Sequence, residues 1–355
     1  MRKTLRRSSL YLAAGLSLFF FGLFKFFPFD ALTERATMVR AAEIMAAAER
    51  TLLECREQKG LSPDAATDPN KTGLVGVETS PISTSLGNLE AKRTTTNPNC
   101  AGLVVRLLKE AGVKEEEAIA VGASSSFPGL VLAVLSASKA MDLDALLICS
   151  LGASQWGAND PRFSWLDIYG CIGGGAGAGG RIIALSVGGE GDTGLDVSVE
   201  GRRFLLGEIR KSGFPLIEEP DLRRNVELRY KLYKENAPGK RIAAFVNIGG
   251  SWANLGTDAS VLGLKPGSTR VRDIPPHQRR GMIQEMARRG VPVIHLLNIK
   301  GLAARYGLPW DPSPLPRPGE GDVFRRSPGS NPLVMTLMGA YLFLAILALA
   351  LFRRP

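Results

Sequence analysis

The chain has 355 residues, 45% of them hydrophobic, with 40 glycines and a formal charge of +10. That is enough apolar material for one large or two modest packed domains, and the glycines follow no strict period, which excludes a collagen-like fibre. Seven positive charges (Arg2, Lys3, Arg6, Arg7, Lys25, Arg353 and Arg354) lie in the tails, leaving 37 basic against 34 acidic residues, too even a balance for a nucleic-acid-binding domain.

Residues 10–29 form an apolar run broken by Lys25, and residues 333–352 form a second without charge. Each is about 20 residues, the length that crosses roughly 30 Å of hydrocarbon. The flanking MRKTLRR and FRRP place both termini in the cytoplasm by the positive-inside rule. The expectation is two membrane spans, with residues 1–30 and 332–355 as tails and transmembrane helices. The bulk of the chain is then extracytoplasmic, held at the cell membrane. A cleaved signal peptide is the alternative for the first run, disfavoured because no small-x-small site is obvious after Phe24.

Residues 31–64 read as a juxtamembrane helix and loop, with a ragged stripe of Leu32, Val39, Ile44, Met45, Ala48, Leu52 and Leu53. Leu74 to Val77 reads as a short strand, followed by a long Ser/Thr-rich connection. Asn97-Pro98 opens a helix by a cap and a proline at the first helical position. Residues 118–165 then hold two strand–loop–helix units, with Ser126/Pro128 and Asp160-Pro161 taken as helix starts. Further strands are expected at RIIALSVGG, at Ile242 to Ile248 and at VPVIHLLN. Helices are expected around Val199 to Lys211, from Asp221 to Glu235 and from Pro275 to Arg289. The fold class is α/β: a mostly parallel sheet of about six strands with helices on both faces, spanning residues 65–308. Residues 309–331 are proline-rich and read as a stiff linker.

The four cysteines, Cys55, Cys100, Cys149 and Cys171, match no zinc or redox spacing, and free buried thiols are the favoured reading. Only His277 and His295 are present, which excludes a histidine-rich metal site. Gly175 to Gly180 fits GxGxxG but precedes a strand instead of following one, so no nucleotide and no other cofactor is expected.

If the strands are parallel, the loops leaving them gather at one end of the sheet. They carry Ser80 and Ser83; Lys92 and Arg93; Ser124, Ser125 and Ser126; Ser154, Gln155 and Asn159; and Ser251 and Asn254. Hydroxyls, amides, two cations and capped helix starts together suggest a site for a carboxylate- or phosphate-bearing ligand. The same caps and glycines also build ordinary strand–helix turns. A loop serine acting as a nucleophile would need a base; His295, Lys92 and Lys300 are all placed to reach it, and spacing does not choose between them.

At ETSPISTSLGNLEAKRTTTNPN, GASSSFPGL, LGASQWGANDPRFSWLD and NIGGSWANLG the chain resembles the poly-gamma-glutamate system protein family. The resemblance implies a bacterial cell-envelope or capsule setting and partner proteins of poly-γ-glutamate synthesis and export. It implies an accessory role, holding an anionic polymer or a partner through the strand-end loops. The alternatives are a γ-glutamyl hydrolase or transferase using a loop serine such as Ser124 or Ser126, and a small-anion binding or sensory domain.

Overall fold

The computed structural model describes residues 2–26, 34–174, 179–325 and 332–351, with side chains in the terminal helices described at Tyr11, 14–25 and 335–347. They fall into two units: the terminal helices with their flanking residues, and Glu34–Val323.

In chain order the elements begin with α1 (Arg2–Phe26), α2 (Arg35–Gln58), α3 (Leu89–Thr95) and α4 (Asn99–Glu110). Next come β1 (Ala118–Ser124), α5 (Pro128–Ala140), β2 (Asp144–Ser150), the short β3 (Asn159–Asp160) and β4 (Phe163–Ser164), and α6 (Trp165–Cys171). They continue with β5 (Gly180–Ser186), α7 (Val199–Ser212), β6 (Leu216–Ile217), α8 (Leu222–Glu235), β7 (Ile242–Ile248) and α9 (Trp252–Leu255). The last are β8 (Gly267–Thr269), α10 (Met282–Arg288), β9 (Val293–Leu296), α11 (Ile299–Tyr306) and α12 (Pro332–Leu351).

The main sheet has seven strands in the order β6-β5-β2-β1-β7-β9-β8, all parallel except the edge strand β8. β1 and β7 are wholly buried and mostly apolar, with Ser124 at the end of β1 and Asn247 near the end of β7 as the polar exceptions. Strands buried on both faces must read this way, because neither side of the pleat meets water. From β1 the chain winds outward through β2, β5 and β6, then returns to the other side of β1 as β7. That reversal opens a crevice at the carboxyl ends of β1 and β7, where open α/β sheets bind ligands.

One face of the sheet is covered by α2, α4 and α5, which pack on one another. Met38, Ala41, Ala42, Met45 and Leu52 of α2 have no solvent exposure. This helix is therefore an integral layer of the α/β unit. On the other face Val226 and Tyr233 of α8, with Met282, Ile283 and Met286 of α10, close over the strands. The Tyr233 hydroxyl donates to the Val121 carbonyl at 2.8 Å, which satisfies its polar tip inside that layer.

Several expectations need correction. Among the described residues no helix is long and apolar enough to cross a membrane. The two flanking transmembrane helices, and the membrane as a two-span partner, are accordingly not sustained. What α1 and α12 show is mutual packing: the Ser17 and Tyr341 hydroxyls lie 3.0 Å apart, and the Phe20 and Tyr341 rings 5.2 Å apart.

Leu74 to Val77 is not a strand. It runs against residues 156–159 instead, through Gly76 N–H to Trp156 O and Trp156 N–H to Val77 O. Asp160-Pro161 does not cap a helix: Asn159–Asp160 and Phe163–Ser164 pair as a small hairpin. The helix start passes to Ser164, whose backbone N–H is accepted by Asp167. Cys55 and Cys171 form a disulfide between α2 and α6, next to an ion pair of Lys59 with Asp167. Cys100 and Cys149 are free and buried. Residues 175–178 of the Gly175–Gly180 run lie outside the described residues.

Beside the sheet, Asp192 and Arg229 form an ion pair whose side chains are each 1% exposed. Such a pair stands only when its remaining polar valences are filled. Here Asp192 also accepts from the Ser186 hydroxyl (2.7 Å) and the Asn225 amide (3.2 Å), and Arg229 Nε donates to Asn225 (2.7 Å). Arg229→Ala strands the carboxylate and is expected to cost about 3–5 kcal/mol. Urea unfolding of the purified chain checks this; a loss under about 1 kcal/mol would show that water already reaches Asp192.

Candidate active site

The crevice at the β1–β7 reversal holds a cavity of about 540 Å³. β1 supplies Ser124 at its last position, with Ser126 and Phe127 in the turn that follows. β2 supplies Ser150 and the loop bearing Ser154, and the turn after β7 supplies Gly250, Ser251 and Trp252. Lys92 enters from α3, outside the sheet.

Lys92 is the chemically unusual group. It is 3% exposed, and its Nζ donates to the Ser154 hydroxyl at 2.8 Å and to the Ser126 carbonyl. The Phe127 ring centroid lies 3.8 Å from Nζ. None of its contacts is a carboxylate. Burial without a counter-ion penalises the ammonium, and the lysine is brought down to about 7. Near neutral pH a large share of Lys92 is therefore free amine, with a lone pair beside the Ser154 hydroxyl.

The serines are not equivalent. Ser126 Oγ accepts from Ser154 N–H and from the Ser124 hydroxyl, both at 2.9 Å, so its oxygen braces the Ser154 loop. Ser124 donates its hydroxyl to Ser126. Ser154 alone among the three places its side-chain oxygen against Nζ. Gly157 makes this possible: a Cβ there would lie 2.8 Å from Ser126 Cα, which would push the two loops apart.

The other expected site residues are placed as follows. Ser125 is fully buried and donates to the Ser150 carbonyl at 2.6 Å, below the cavity. Ser80, Ser83 and Asn159 tie residues 77–83 to the 151–160 loop: the Asn159 amide donates to Ser83 Oγ (2.8 Å) and Ser80 Oγ donates to Asn159 O. Gln155 accepts from Gly87 N–H at 3.1 Å, holding the cavity rim. Arg93 points away to Asp311. Ser251 lines the cavity. Asn254 is 1% exposed and faces Gly122, where a Cβ would come within 2.6 Å of its amide; it does not line the cavity.

His295 is not positioned as a base. It is buried on β9 with Nδ1 3.1 Å from the Asn247 amide, and burial brings it down to about 4. Lys300 lines a separate cavity of about 430 Å³ with Asn298 and Trp310.

The cavity walls also include Leu86, Glu190, Asp196, Trp252 and Leu255. The loop carrying Glu190 and Asp196 is fixed from behind by Asp192 and its arginine, and from within by Glu190 N–H donating to Asp196 (2.8 Å). A loop of alternating glycines and acids gives no sign in sequence that Asp192 is buried while Glu190 and Asp196 stay exposed at the cavity rim. Among the described residues no group of three or more potential metal ligands occurs.

No family model, curated protein or solved structure matches the chain. The resemblance, and with it poly-γ-glutamate handling and a capsule setting, gains no support from them.

The lysine yields a stability prediction with a definite sign. Its folded value of about 7 lies below the 10.5 of the free side chain. Between those pH values the unfolded chain binds the extra proton, so stability rises with pH through this window and is lost again as pH falls to 7. Lys92→Met removes this dependence and is expected to gain on the order of a few kcal/mol at pH 7. Urea unfolding at pH 7 and pH 10 reads it; identical pH dependence in the two proteins would rule out a desolvated amine.

Proposed function

We propose that the chain is a serine hydrolase or acyl transferase of the serine–lysine kind, with Ser154 as nucleophile and Lys92 as general base. The observation that carries this reading is the 2.8 Å contact between Ser154 Oγ and a buried lysine that has no carboxylate partner. A serine hydroxyl is a poor nucleophile until a base within hydrogen-bond reach takes its proton. Lysine serves only where burial holds it neutral.

The steps follow from those two atoms. The Lys92 lone pair takes the Ser154 hydroxyl proton as Oγ bonds to the substrate carbonyl carbon. The tetrahedral intermediate collapses, the bond to the leaving nitrogen or oxygen breaks, and the Lys92 ammonium returns the proton to the leaving group. A water, or an acceptor amine or alcohol, then gives its proton to Lys92 and attacks the acyl carbon. Ser154 leaves with that proton, which regenerates both groups. Ser126 holds Ser154 by its backbone and does not itself react.

The cavity's charges support a neutral or cationic substrate. Glu190 and Asp196 lie at the exposed rim of the cavity that Lys92 lines, and the charge of that lysine is partly lost at neutral pH. The same balance counts against the other reading carried from the sequence, an accessory role holding an anionic polymer through these loops. The Cys55–Cys171 bond supports an oxidising compartment for this unit, because cytosolic thiols are kept reduced.

The test is labelling of the full chain with a fluorophosphonate, which reacts preferentially with activated serines, and mapping of the adduct by mass spectrometry. Ser154 is expected to carry the adduct, with an acid limb near pH 7. Ser154→Ala should abolish labelling and Lys92→Met should slow it about 10²–10⁴-fold. Absence of any serine adduct in the parent protein between pH 6 and 10 would sink the hydrolase reading; an adduct on Ser124 or Ser126 would reassign the nucleophile.

A further inference from the structure

α3 has seven residues, too few to stand alone, so what packs on it decides where Lys92 points. Successive helical residues are turned by about 100°, which sends Lys92 into the cavity and its neighbour Arg93 out the other side. There Arg93 meets Asp311 of the proline-rich segment in a two-pronged ion pair, Nε to Oδ1 at 2.7 Å and Nη2 to Oδ2 at 2.5 Å. The Asp311 backbone N–H also donates to Thr94 Oγ1 at 2.9 Å. Three bonds thus join one residue of this segment to two consecutive residues of α3.

The segment is itself anchored. The Asn70 amide donates to the Pro312 carbonyl (2.9 Å), and Asn99 on α4 donates to the Arg317 and Glu320 carbonyls and accepts from Gly319 N–H, each at 3.0 Å. A planar guanidinium gripped by both carboxylate oxygens fixes orientation as well as distance, which a single contact does not.

We propose that Asp311 is a positioning residue for the site: through Arg93 and Thr94 it holds α3 so that Lys92 stays buried against Ser154. The inference rests on the serine–lysine reading for its consequence in activity. Its structural half, that Asp311 keeps the Lys92 amine desolvated, stands separately.

The charged groups on the elements beside Lys92 are Glu90 and Arg93 on its own helix and Asp311 of the proline-rich segment, with Glu190 and Asp196 at the exposed rim of the cavity. Burial is the cause that lowers Lys92. Loosening α3 therefore raises the lysine toward its free value, and the neutral fraction at pH 7 falls.

Two readouts on the full chain test this. The first is the pH dependence of Lys92 acetylation by dilute acetic anhydride, followed on the Lys92 peptide by mass spectrometry. The second is the pH profile of fluorophosphonate labelling of Ser154. In Asp311→Ala both midpoints are expected to rise by about one unit, and labelling at pH 7 to fall about fivefold, recovering above pH 9. Asp311→Glu, which keeps the charge, is expected to restore part of the shift. If Asp311→Ala loses its circular-dichroism signal, Arg93→Lys, which keeps the charge but not the two-pronged grip, takes its place.

An unchanged Lys92 midpoint in the folded variant overturns the proposal. Failure of Ser154 to label in the parent removes the proposed activity but leaves the acetylation readout, so the two ideas fail separately.

Discussion

Lys92 is brought to the carboxyl edge of the sheet with a hydroxyl, a carbonyl and an aromatic ring around its nitrogen and no carboxylate bonded to it. Everything else about the site depends on that desolvation. An exposed lysine stays protonated and gives nothing to a serine, whereas a buried lysine paired with an acid keeps its proton. Here the Ser126 carbonyl and Ser154 hydroxyl orient the amine without holding its charge. The sheet's chain reversal provides the crevice, the close contact at Gly157 lets the two serine loops touch, and Ser126 binds one loop to the other.

How much of this could be read from the sequence depends on whether the signal is local. β1, β2 and β7 announce themselves as mostly apolar runs with polar residues at or near their ends, because a strand covered on both faces has no polar side to show. α7 is equally legible: Ser198 accepts from Gly201 N–H and Gly213 takes a left-handed conformation. The mostly parallel α/β arrangement follows from such pieces. The hairpin at Asn159–Ser164 is not legible, since Asp160-Pro161 is as good a helix start as a turn. The Asn159 side chain, bonded to Val77 N–H and to Ser83, settles the matter from 76 residues or more away.

The site divides the same way. Serines and lysines in strand-end loops can be gathered from topology alone, and Lys92, Ser124, Ser126, Ser154 and Ser251 do line one cavity. Which serine faces the amine cannot be gathered so, because Lys92 and Ser154 come from segments 62 residues apart. The choice among His295, Lys92 and Lys300 likewise turns on burial and direction. His295 is spent on Asn247 inside the sheet, and Lys300 opens on another cavity. The acidic wall of Glu190 and Asp196 depends on the buried arginine behind it.

The bond between Cys55 and Cys171 closes a covalent ring over a separation of 116 residues. Lys92 and Ser154 both lie inside that ring, as do Ser124 and Ser126. A cut by a protease in any surface loop between the two cysteines therefore opens the ring without releasing a fragment. The nicked protein would keep the base and the nucleophile on one molecule, and it would part only after reduction.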